Sequence, residues 1–167
     1  MRHPDAVLIE RSLVEPELFA EVYDRRAPEV YRYALRRLGE DLADDVVAET
    51  FVKAFRSRHR YDPDRCGARP WLYGIAGRVI AKHWRVEVRQ YRTPTAPHGA
   101  CRSWQAAALG GLPRRQREVL LLIAWEGLSV QEVAHALRIP VRRVQLAEDR
   151  ARSRIAGACD RMVGEAA

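Results

Sequence analysis

The stretch that decides the fold is SVQEVAHALRIPVRRVQLAEDRARSR, residues 129–154. Ser129 and Glu132 have the S-x-x-E spacing of a capping box, in which each side chain satisfies a backbone N–H at the start of a helix. The short helix that they begin ends by Leu137, and Pro140 suits the first position of a second helix. A short helix, a tight turn and a second helix in this order predict a helix-turn-helix.

Apolar side chains at helical spacing supply the inner faces of both helices. Val133, Ala134 and Leu137 recur in the first helix, where the small Ala134 allows a crossing helix to approach closely. In the second helix the apolar row begins at Val144 and returns at Ala147. We assign five residues to the scaffold of the motif: Ser129, Glu132, Ala134, Leu137 and Val144.

The outward face of the second helix carries groups that suit DNA. Arginine can bind guanine edges and phosphates, and glutamine can bind adenine edges in the major groove. The predicted DNA-binding residues are Arg138, Arg142, Arg143, Gln145, Arg150 and Arg152. An arginine-rich surface helix of a small bundle would share part of this pattern, so a purely structural helix stays open at this point.

Two features of the motif argue against the helix-turn-helix interpretation. Arg138 occupies a turn position that commonly takes glycine, and a left-handed backbone there costs a non-glycine residue about 1–2 kcal/mol. Glu148 and Asp149 place negative charge on the presumed DNA-reading helix. We therefore expect these two acidic residues to weaken binding to DNA.

The rest of the chain also has helical periodicity, and no segment shows the alternation of a strand. Helices are predicted to begin at Pro16, Pro28, Asp41 and Pro70, with Gly39 ending the second. A loop is predicted over 59–68. Beyond a proline-bearing segment, further helices are predicted over 104–109 and 113–125. The sequence thus predicts an all-α protein of two small helical domains, with a four-helix domain at 1–89, a flexible linker at 90–103 and a helix-turn-helix domain at 104–167.

Charge is distributed unevenly along the chain. Residues 1–68 carry 12 basic and 14 acidic groups, residues 69–118 carry 10 and 2, and residues 119–167 carry 7 and 6. A polyanion would therefore meet the middle of the chain first. Arginines supply almost all of the positive charge, and they bind phosphates in bidentate fashion. The acidic first part suits a basic protein partner instead.

Two predicted helices of the first domain have one charged face each. Asp44, Asp45 and Glu49 lie on the helix that begins at Asp41, where they can stabilise the helix end or meet a basic partner. The helix from Pro70 has a basic flank. Its Trp71 begins the apolar stripe and is predicted to be in the core, whereas Trp84 can stack on a base or pack on the linker.

Several classes of function have little support in the sequence. The cysteines Cys66, Cys101 and Cys159 have no metal-ligand spacing, so we expect reduced thiols, no metal site and no cofactor. No apolar stretch reaches the ~18 residues of a membrane span. We expect a protein of the cytoplasm that does not insert into a membrane. There is no glycine-rich phosphate loop, HExxH or G-x-S-x-G, and an enzyme is therefore not predicted.

Three segments carry a resemblance to a known family. DLADDVVAETFVKAF at 41–55, RPWLYGIAGRVIAKHWR at 69–85 and LPRRQREVLLLIAWEGLSVQEVAHALRIPV at 112–141 resemble regions 2 and 4 of extracytoplasmic-function (ECF) sigma factors. Their order, with a proline-bearing linker between them, is highly specific, and the match covers nearly the whole chain.

The resemblance implies partners and residue roles. Core RNA polymerase would bind through its clamp coiled coil to Asp44, Asp45, Glu49 and Phe51, and through its flap to the second domain. The 59–68 loop and the next helix would hold unpaired bases of the promoter −10 element. The implied −10 residues are Arg69, Arg78, Lys82, His83, Trp84 and Arg85. The helix-turn-helix would read the −35 element, and an anti-sigma factor is a further implied partner.

The chain departs from the family pattern where base preference is set. Gly77 stands where arginine is usual, Arg78 stands where many relatives have asparagine, and the 142–149 segment also differs. The promoter sequence is therefore left open. Ala166-Ala167 resembles tails that bacterial proteases recognise, which suggests regulated turnover or simply an alanine-rich end. Two other functions are open on the residues alone: a DNA-binding regulator that works without polymerase contact, and a module that sequesters an activator.

Overall fold

The computed structural model describes residues 4–91, 109 and 111–165, with side chains described for 4–83, 109 and 111–157. The chain divides into two compact units, Met1–Gly99 and Ala100–Ala167. Every regular element in the described residues is helical, so the all-α prediction is confirmed. The predicted linker from residue 92 onward and most of the predicted 104–109 helix lie outside the described residues.

The described residues of the N-terminal unit form four α-helices and two short 3₁₀ turns. The α-helices are α1 (Pro4–Arg11), α2 (Phe19–Leu38), α3 (Glu40–Ser57) and α4 (Ala68–Tyr91). The 3₁₀ turns are Pro16–Leu18 and Arg58–Arg60. Helices α2, α3 and α4 pack against one another, and α1 packs against α2.

The prediction of two helices divided at Pro28 is wrong, because α2 continues through this proline. Pro28 has no N–H to donate to the preceding turn, which weakens the interior of a helix. The apolar face is nevertheless continuous across it, since Val22 and Val30 are both buried. Burial of this shared face outweighs the missing hydrogen bond, and one long helix forms.

Gly39 joins α2 to α3 without a loop. Its backbone has φ 83° and ψ −179°, and its N–H donates to the Leu35 carbonyl at 3.0 Å. The positive φ agrees with the predicted glycine stop. The predicted cap at Asp41 is wrong, because α3 already begins at Glu40 and Asp41 lies within its first turn. There its carboxylate faces the positive end of the helix dipole.

The core of the N-terminal unit combines aliphatic and aromatic side chains. Tyr33 is 1% exposed, and its ring centroid lies 4.9 Å from that of Tyr73. We predicted Tyr31 for the buried face, but Tyr31 is only half-buried. The buried face of α2 instead includes Val30 and Tyr33, together with the predicted Ala34 and Leu38.

Helix α1, which the sequence did not predict, is attached to α2 by a buried carboxylate. Asp5 is 1% exposed and accepts hydrogen bonds from the Arg26 guanidinium at 2.6 Å. Arg25 lies 3.6 Å from the other carboxylate oxygen. A buried charge is tolerated only when paired in this way.

The C-terminal unit contains three described helices, α5 (Arg114–Ala124), α6 (Val130–Leu137) and α7 (Val141–Glu165). All three pack on one another around Val119, Leu122, Val133 and Val144, each at most 1% exposed. The helix predicted over 113–125 is present. Helix α7 continues past the predicted end near Arg154.

We expect Asp5→Asn to lower the free energy of unfolding by about 2 kcal/mol, because it leaves the half-buried Arg26 with a weaker acceptor. Urea unfolding followed by circular dichroism measures the change. Glu21→Gln is the matched control: Glu21 pairs with Arg25 at the surface, and its loss should cost less than about 0.5 kcal/mol. Equal effects of the two variants would contradict a special role for the buried pair.

Candidate functional site

The acidic face of α3 begins with two exposed carboxylates, Asp44 and Asp45. Both are predicted polymerase-binding residues, and neither forms an ion pair in the part of the chain that the structure describes. They lie in the second turn of α3, after the first turn in which the helix dipole acts. Their carboxylates are accessible to a basic partner.

Glu49 stands one turn further along α3 and differs from these two aspartates. Its carboxylate is only 24% exposed and lies 2.7 Å from the Lys53 ammonium. The Lys82 ammonium, on α4, donates to the same oxygen at 3.0 Å. The His83 ring nitrogen Nε2 lies 3.3 Å from the other oxygen. Hydrogen bonds from Lys53 and Lys82 lower the pKa of Glu49 to about 2.

The Glu49 contacts join two sets of residues that the sequence analysis kept apart. Glu49 is a predicted polymerase contact, while Lys82 and His83 are predicted contacts to the −10 strand. Sequence could not reveal this pairing, because Glu49 and Lys82 are distant in the chain and meet only when α3 packs on α4.

Phe51, also predicted to bind polymerase, is 5% exposed. Its ring centroid lies 4.8 Å from that of Tyr23 on α2, in an edge-to-face arrangement. The structure thus places Phe51 in the packing between helices rather than on the acidic face. The partly exposed Tyr23 covers it, and no sequence signal distinguished the two rings.

Arg69 begins the basic flank of α4 and is also held by a carboxylate. Its Nε donates to Glu29 on α2 at 3.0 Å, and its guanidinium lies 5.8 Å from the Tyr73 ring centroid. Glu29 accepts a second hydrogen bond, from Arg26 at 2.9 Å. A chain of ion pairs therefore runs from Asp5 through Arg26 and Glu29 to Arg69. Glu29 was missed because nothing in its local sequence marks it.

The predicted 59–68 loop overlaps a 3₁₀ turn at Arg58–Arg60 and is fixed by an aromatic pair. The ring centroids of Tyr61 and Trp71 lie 5.0 Å apart, and the Tyr61 hydroxyl donates to the Cys66 carbonyl at 3.1 Å. Burial raises the pKa of this hydroxyl above its usual range. Trp71 is half-buried, so the predicted core position is only partly right. Tyr61 is not among the predicted site residues, although an aromatic side chain in a polar loop is a usable signal.

The remaining predicted −10 residues lie on the same helix. Arg78 is exposed on α4. The backbone of Trp84 and Arg85 is part of α4, but the structure does not describe their side chains. Their contacts with the −10 strand therefore stay predictions.

The helix-turn-helix begins with the predicted capping box. The Ser129 N–H donates to the Glu132 carboxylate at 2.8 Å, and the Glu132 N–H donates to the Ser129 hydroxyl at 3.3 Å. Of the other scaffold residues, Ala134 and Val144 are buried and Leu137 is half-buried. Arg138 ends α6 with φ 53° and ψ 47°, which is the predicted left-handed turn. Its N–H donates to the His135 carbonyl at 3.2 Å.

Helix α7 presents a continuous exposed face. Four of the predicted −35 residues lie on it, and none of them forms an ion pair among the residues the structure describes: Arg142, Arg143, Gln145 and Arg150. Arg152 differs, because its guanidinium lies 2.7 Å from the Glu148 carboxylate. Glu148 itself is 8% exposed. Both acidic residues lie on this helix, and of the two only Asp149 is exposed.

No described helix has the length and apolar character needed to span a membrane. The described residues contain no cluster of histidine, cysteine and acidic side chains that could hold a metal ion.

Comparison with known proteins identifies both units. The family description for sigma-70 region 2 matches residues 22–90, and that for sigma-70 region 4 matches residues 106–155. The ECF RNA polymerase sigma factor SigD of Mycobacterium tuberculosis is 31% identical over 179 residues, which span 90% of this chain and 81% of SigD. The chain belongs to the ECF RNA polymerase sigma factors. It is thus a sigma factor that directs promoter recognition and transcription initiation, and it is not an enzyme.

Solved structures of other sigma factors share this fold. CnrH, solved in complex with the cytosolic domain of CnrY, superposes with a TM-score of 0.70 at 27% identity, covering 93% of this chain and 97% of CnrH. RpoE of Bartonella quintana, solved with the anti-sigma factor NepR, has a TM-score of 0.67 at 20% identity, covering 85% and 96%. The resemblance seen in the sequence is therefore confirmed for this ECF sigma factor.

The low pKa of Glu49 predicts a pH-dependent stability of the sigma factor. Because the folded-state pKa of about 2 lies below the ordinary 4.5, the contribution of the ionised carboxylate is complete above pH 4.5 and is lost as pH falls towards 2. We expect the free energy of unfolding to fall more steeply across this window in the wild type than in Glu49→Gln. Urea unfolding at a series of pH values tests this, and parallel curves would contradict it.

The left-handed Arg138 predicts a gain in stability from glycine. We expect Arg138→Gly to raise the free energy of unfolding by about 1 kcal/mol, because glycine adopts this backbone without steric cost. Arg138→Ala is the matched control, since it removes the same guanidinium but keeps the strained backbone. Urea unfolding of both variants separates the two effects, and equal stabilities would show that the turn stores no strain.

Proposed function

We propose that the N-terminal unit contacts core RNA polymerase through the acidic face of α3. The exposed Asp44 and Asp45 supply the contact, and Glu49 supplies its edge next to α4. Support comes from exposed carboxylates without ion-pair partners among the described residues, which suit a basic surface such as the clamp coiled coil. Phe51 supports the contact from within by fixing α3 against α2.

The basic flank of α4 and the loop before it receive the unpaired strand of the −10 element. Arg69, Arg78 and Lys82 provide positive charge, and the Tyr61–Trp71 pair forms a half-buried aromatic surface beside the loop. Positive charge combined with rings suits single-stranded DNA, whose bases stack and whose phosphates pair with cations. His83, Trp84 and Arg85 extend the same helix.

Helix α7 reads the −35 element in the major groove. The observation that carries this assignment is the exposed row of Arg142, Arg143, Gln145 and Arg150 on the second helix of a helix-turn-helix whose first helix has a complete capping box. Long cationic and amide side chains on that helix can reach base edges and phosphates. Arg138 and Arg152 lie at its margins, and Arg152 must exchange Glu148 for a phosphate before it can contribute.

Further assignments follow from the family and the two units. Residues 1–89 act as the polymerase and −10 domain, 90–103 as the linker, and 104–167 as the −35 domain, with the polymerase flap as a second enzyme contact. A protein inhibitor of the anti-sigma class is a further partner; CnrH was likewise solved with a bound protein domain. The protein acts in the cytoplasm. Ala166-Ala167, the predicted protease signal, lies outside the described residues.

Two variants with opposite defects test the assignment of the two units. Asp45→Arg should reduce affinity for core polymerase roughly ten- to thirtyfold, about 1.4–2 kcal/mol, because it sets a cation against a basic surface. Arg142→Ala with Arg143→Ala should leave polymerase affinity unchanged, weaken binding to promoter duplex and reduce its salt dependence.

Run-off transcription with purified core polymerase and genomic promoter fragments is the common readout. Added excess of the Asp45→Arg protein should restore transcripts, because its promoter contacts are intact. Excess of the double arginine variant should not restore them to the same extent. Wild-type affinity of Asp45→Arg for core polymerase would rule out the acidic face as the docking surface.

A further inference from the structure

The Glu49 carboxylate is shared between the two surfaces to which the proposed function assigns different ligands. Both of its oxygens are engaged by α4, one by the Lys82 ammonium at 3.0 Å and the other by the His83 ring at 3.3 Å. Lys53 on α3 adds a third contact at 2.7 Å. Glu49 is thus the point at which the acidic face of α3 joins the basic flank of α4.

Because Glu49 is shared, polymerase and single-stranded DNA must each replace the same internal contacts, those of Glu49 with Lys82 and His83. A phosphate that approaches Lys82 must displace Glu49 or accept its repulsion. A basic group of polymerase that approaches Glu49 draws the same carboxylate away from Lys82 and His83. Both ligands therefore break the same ion pairs, so each one removes part of the cost of binding the other.

We propose that Glu49 withholds Lys82 and His83 from single-stranded DNA in the free sigma factor, and that docking on polymerase releases them. The inference rests on the proposed function, because it takes the acidic face as the polymerase contact and α4 as the strand contact. It adds a direction of control: the carboxylate that helps to bind the enzyme suppresses strand binding until the enzyme is bound.

The exposure of Lys82 and His83 and the position of Lys53 allow this exchange of partners. Lys82 is 59% exposed, so its long flexible chain can turn from Glu49 to a nearby phosphate without disturbing the core. His83 is 23% exposed and closes the other side of the carboxylate. Lys53 lies on the same helix as Glu49. The carboxylate therefore keeps its contact with the Lys53 ammonium when the contacts with Lys82 and His83 on α4 break.

The expected size of the effect follows from the exposure of the pair. Partly exposed ion pairs are weak because water screens them, and added salt weakens them further. We expect Glu49→Gln to raise the affinity of the free chain for single-stranded DNA roughly two- to fivefold at low salt. The same change should lower affinity for core polymerase, so that a single substitution moves the two affinities in opposite directions.

The experiment uses the full chain and a fluorescein-labelled single-stranded oligonucleotide pool of random sequence, with binding followed by fluorescence anisotropy at low and moderate salt. Asp45→Asn is the matched control, because it removes one negative charge from the same helix, and Asp45 does not contact Lys82. We expect a gain in Glu49→Gln and no comparable gain in Asp45→Asn. In a Lys82→Gln background, Glu49→Gln should give a smaller gain.

Three outcomes would overturn the inference. The first is an equal gain in affinity for the oligonucleotide pool in the Asp45→Asn control. The second is a gain from Glu49→Gln that is undiminished in the Lys82→Gln background. The third is no gain in Glu49→Gln, which includes the case in which no variant binds the pool at low salt. Affinity of the wild type for core polymerase is measured in parallel. Loss of that binding would contradict the proposed function, whereas normal polymerase binding with no gain on the oligonucleotide would contradict this inference alone.

Discussion

Burial of one apolar face from each of α2, α3 and α4 is the constraint on which the N-terminal unit depends. Val22, Val46 and Val79, one from each helix, are fully buried where the three helices meet. Because this packing fixes how the helices are rotated, it also fixes what each one presents to solvent. Asp44 and Asp45 face outward on α3 as a consequence of burying the opposite side. The packing of the core therefore decides which charged side chains face solvent, and no further interaction is needed to orient them.

The same packing explains what the sequence could and could not predict. Spacing within one helix was enough to predict the helix-turn-helix, the capping box at Ser129 and the left-handed turn at Arg138, because the cause of each lies within a few residues. Pro28 misled the prediction, since the local preference against an interior proline was overridden by a face buried on both sides of it. The Asp5–Arg26 and Glu49–Lys82 pairs were out of reach, because their partners meet only through the tertiary fold. Family resemblance supplied the assignment of function, which composition and spacing alone left open between several DNA-binding and partner-binding roles.

Carboxylates serve three different purposes in this molecule, and burial separates them. Asp5 is enclosed and paired, so it attaches α1 to α2 and has little freedom to do anything else. Asp45 is exposed and unpaired within the described chain, which suits a contact with another protein. Glu49 is intermediate in exposure and contacts two lysines and a histidine. Only a carboxylate in this intermediate state can be exchanged between internal and external partners at moderate cost, since a buried pair is expensive to break and an exposed one is too weak to matter.

The two units consequently differ in how their cations are presented to DNA. On α7, Arg142, Arg143 and Arg150 extend outward with no carboxylate partner among the described residues, so duplex contact requires no internal bond to break. On α4 and at its start, Lys82 and Arg69 are each held by a glutamate of a neighbouring helix. Strand contact there must first displace an internal partner. This difference matches the physical state of the two targets in the proposed function. The −35 element proposed for α7 is available as duplex at all times, whereas the unpaired −10 strand proposed for α4 exists only once polymerase has engaged the promoter. The arginines of α7 can thus bind duplex at any time, whereas Lys82 and Arg69 are held by glutamates until these contacts break. Such an arrangement would keep the free chain from binding single-stranded nucleic acid elsewhere.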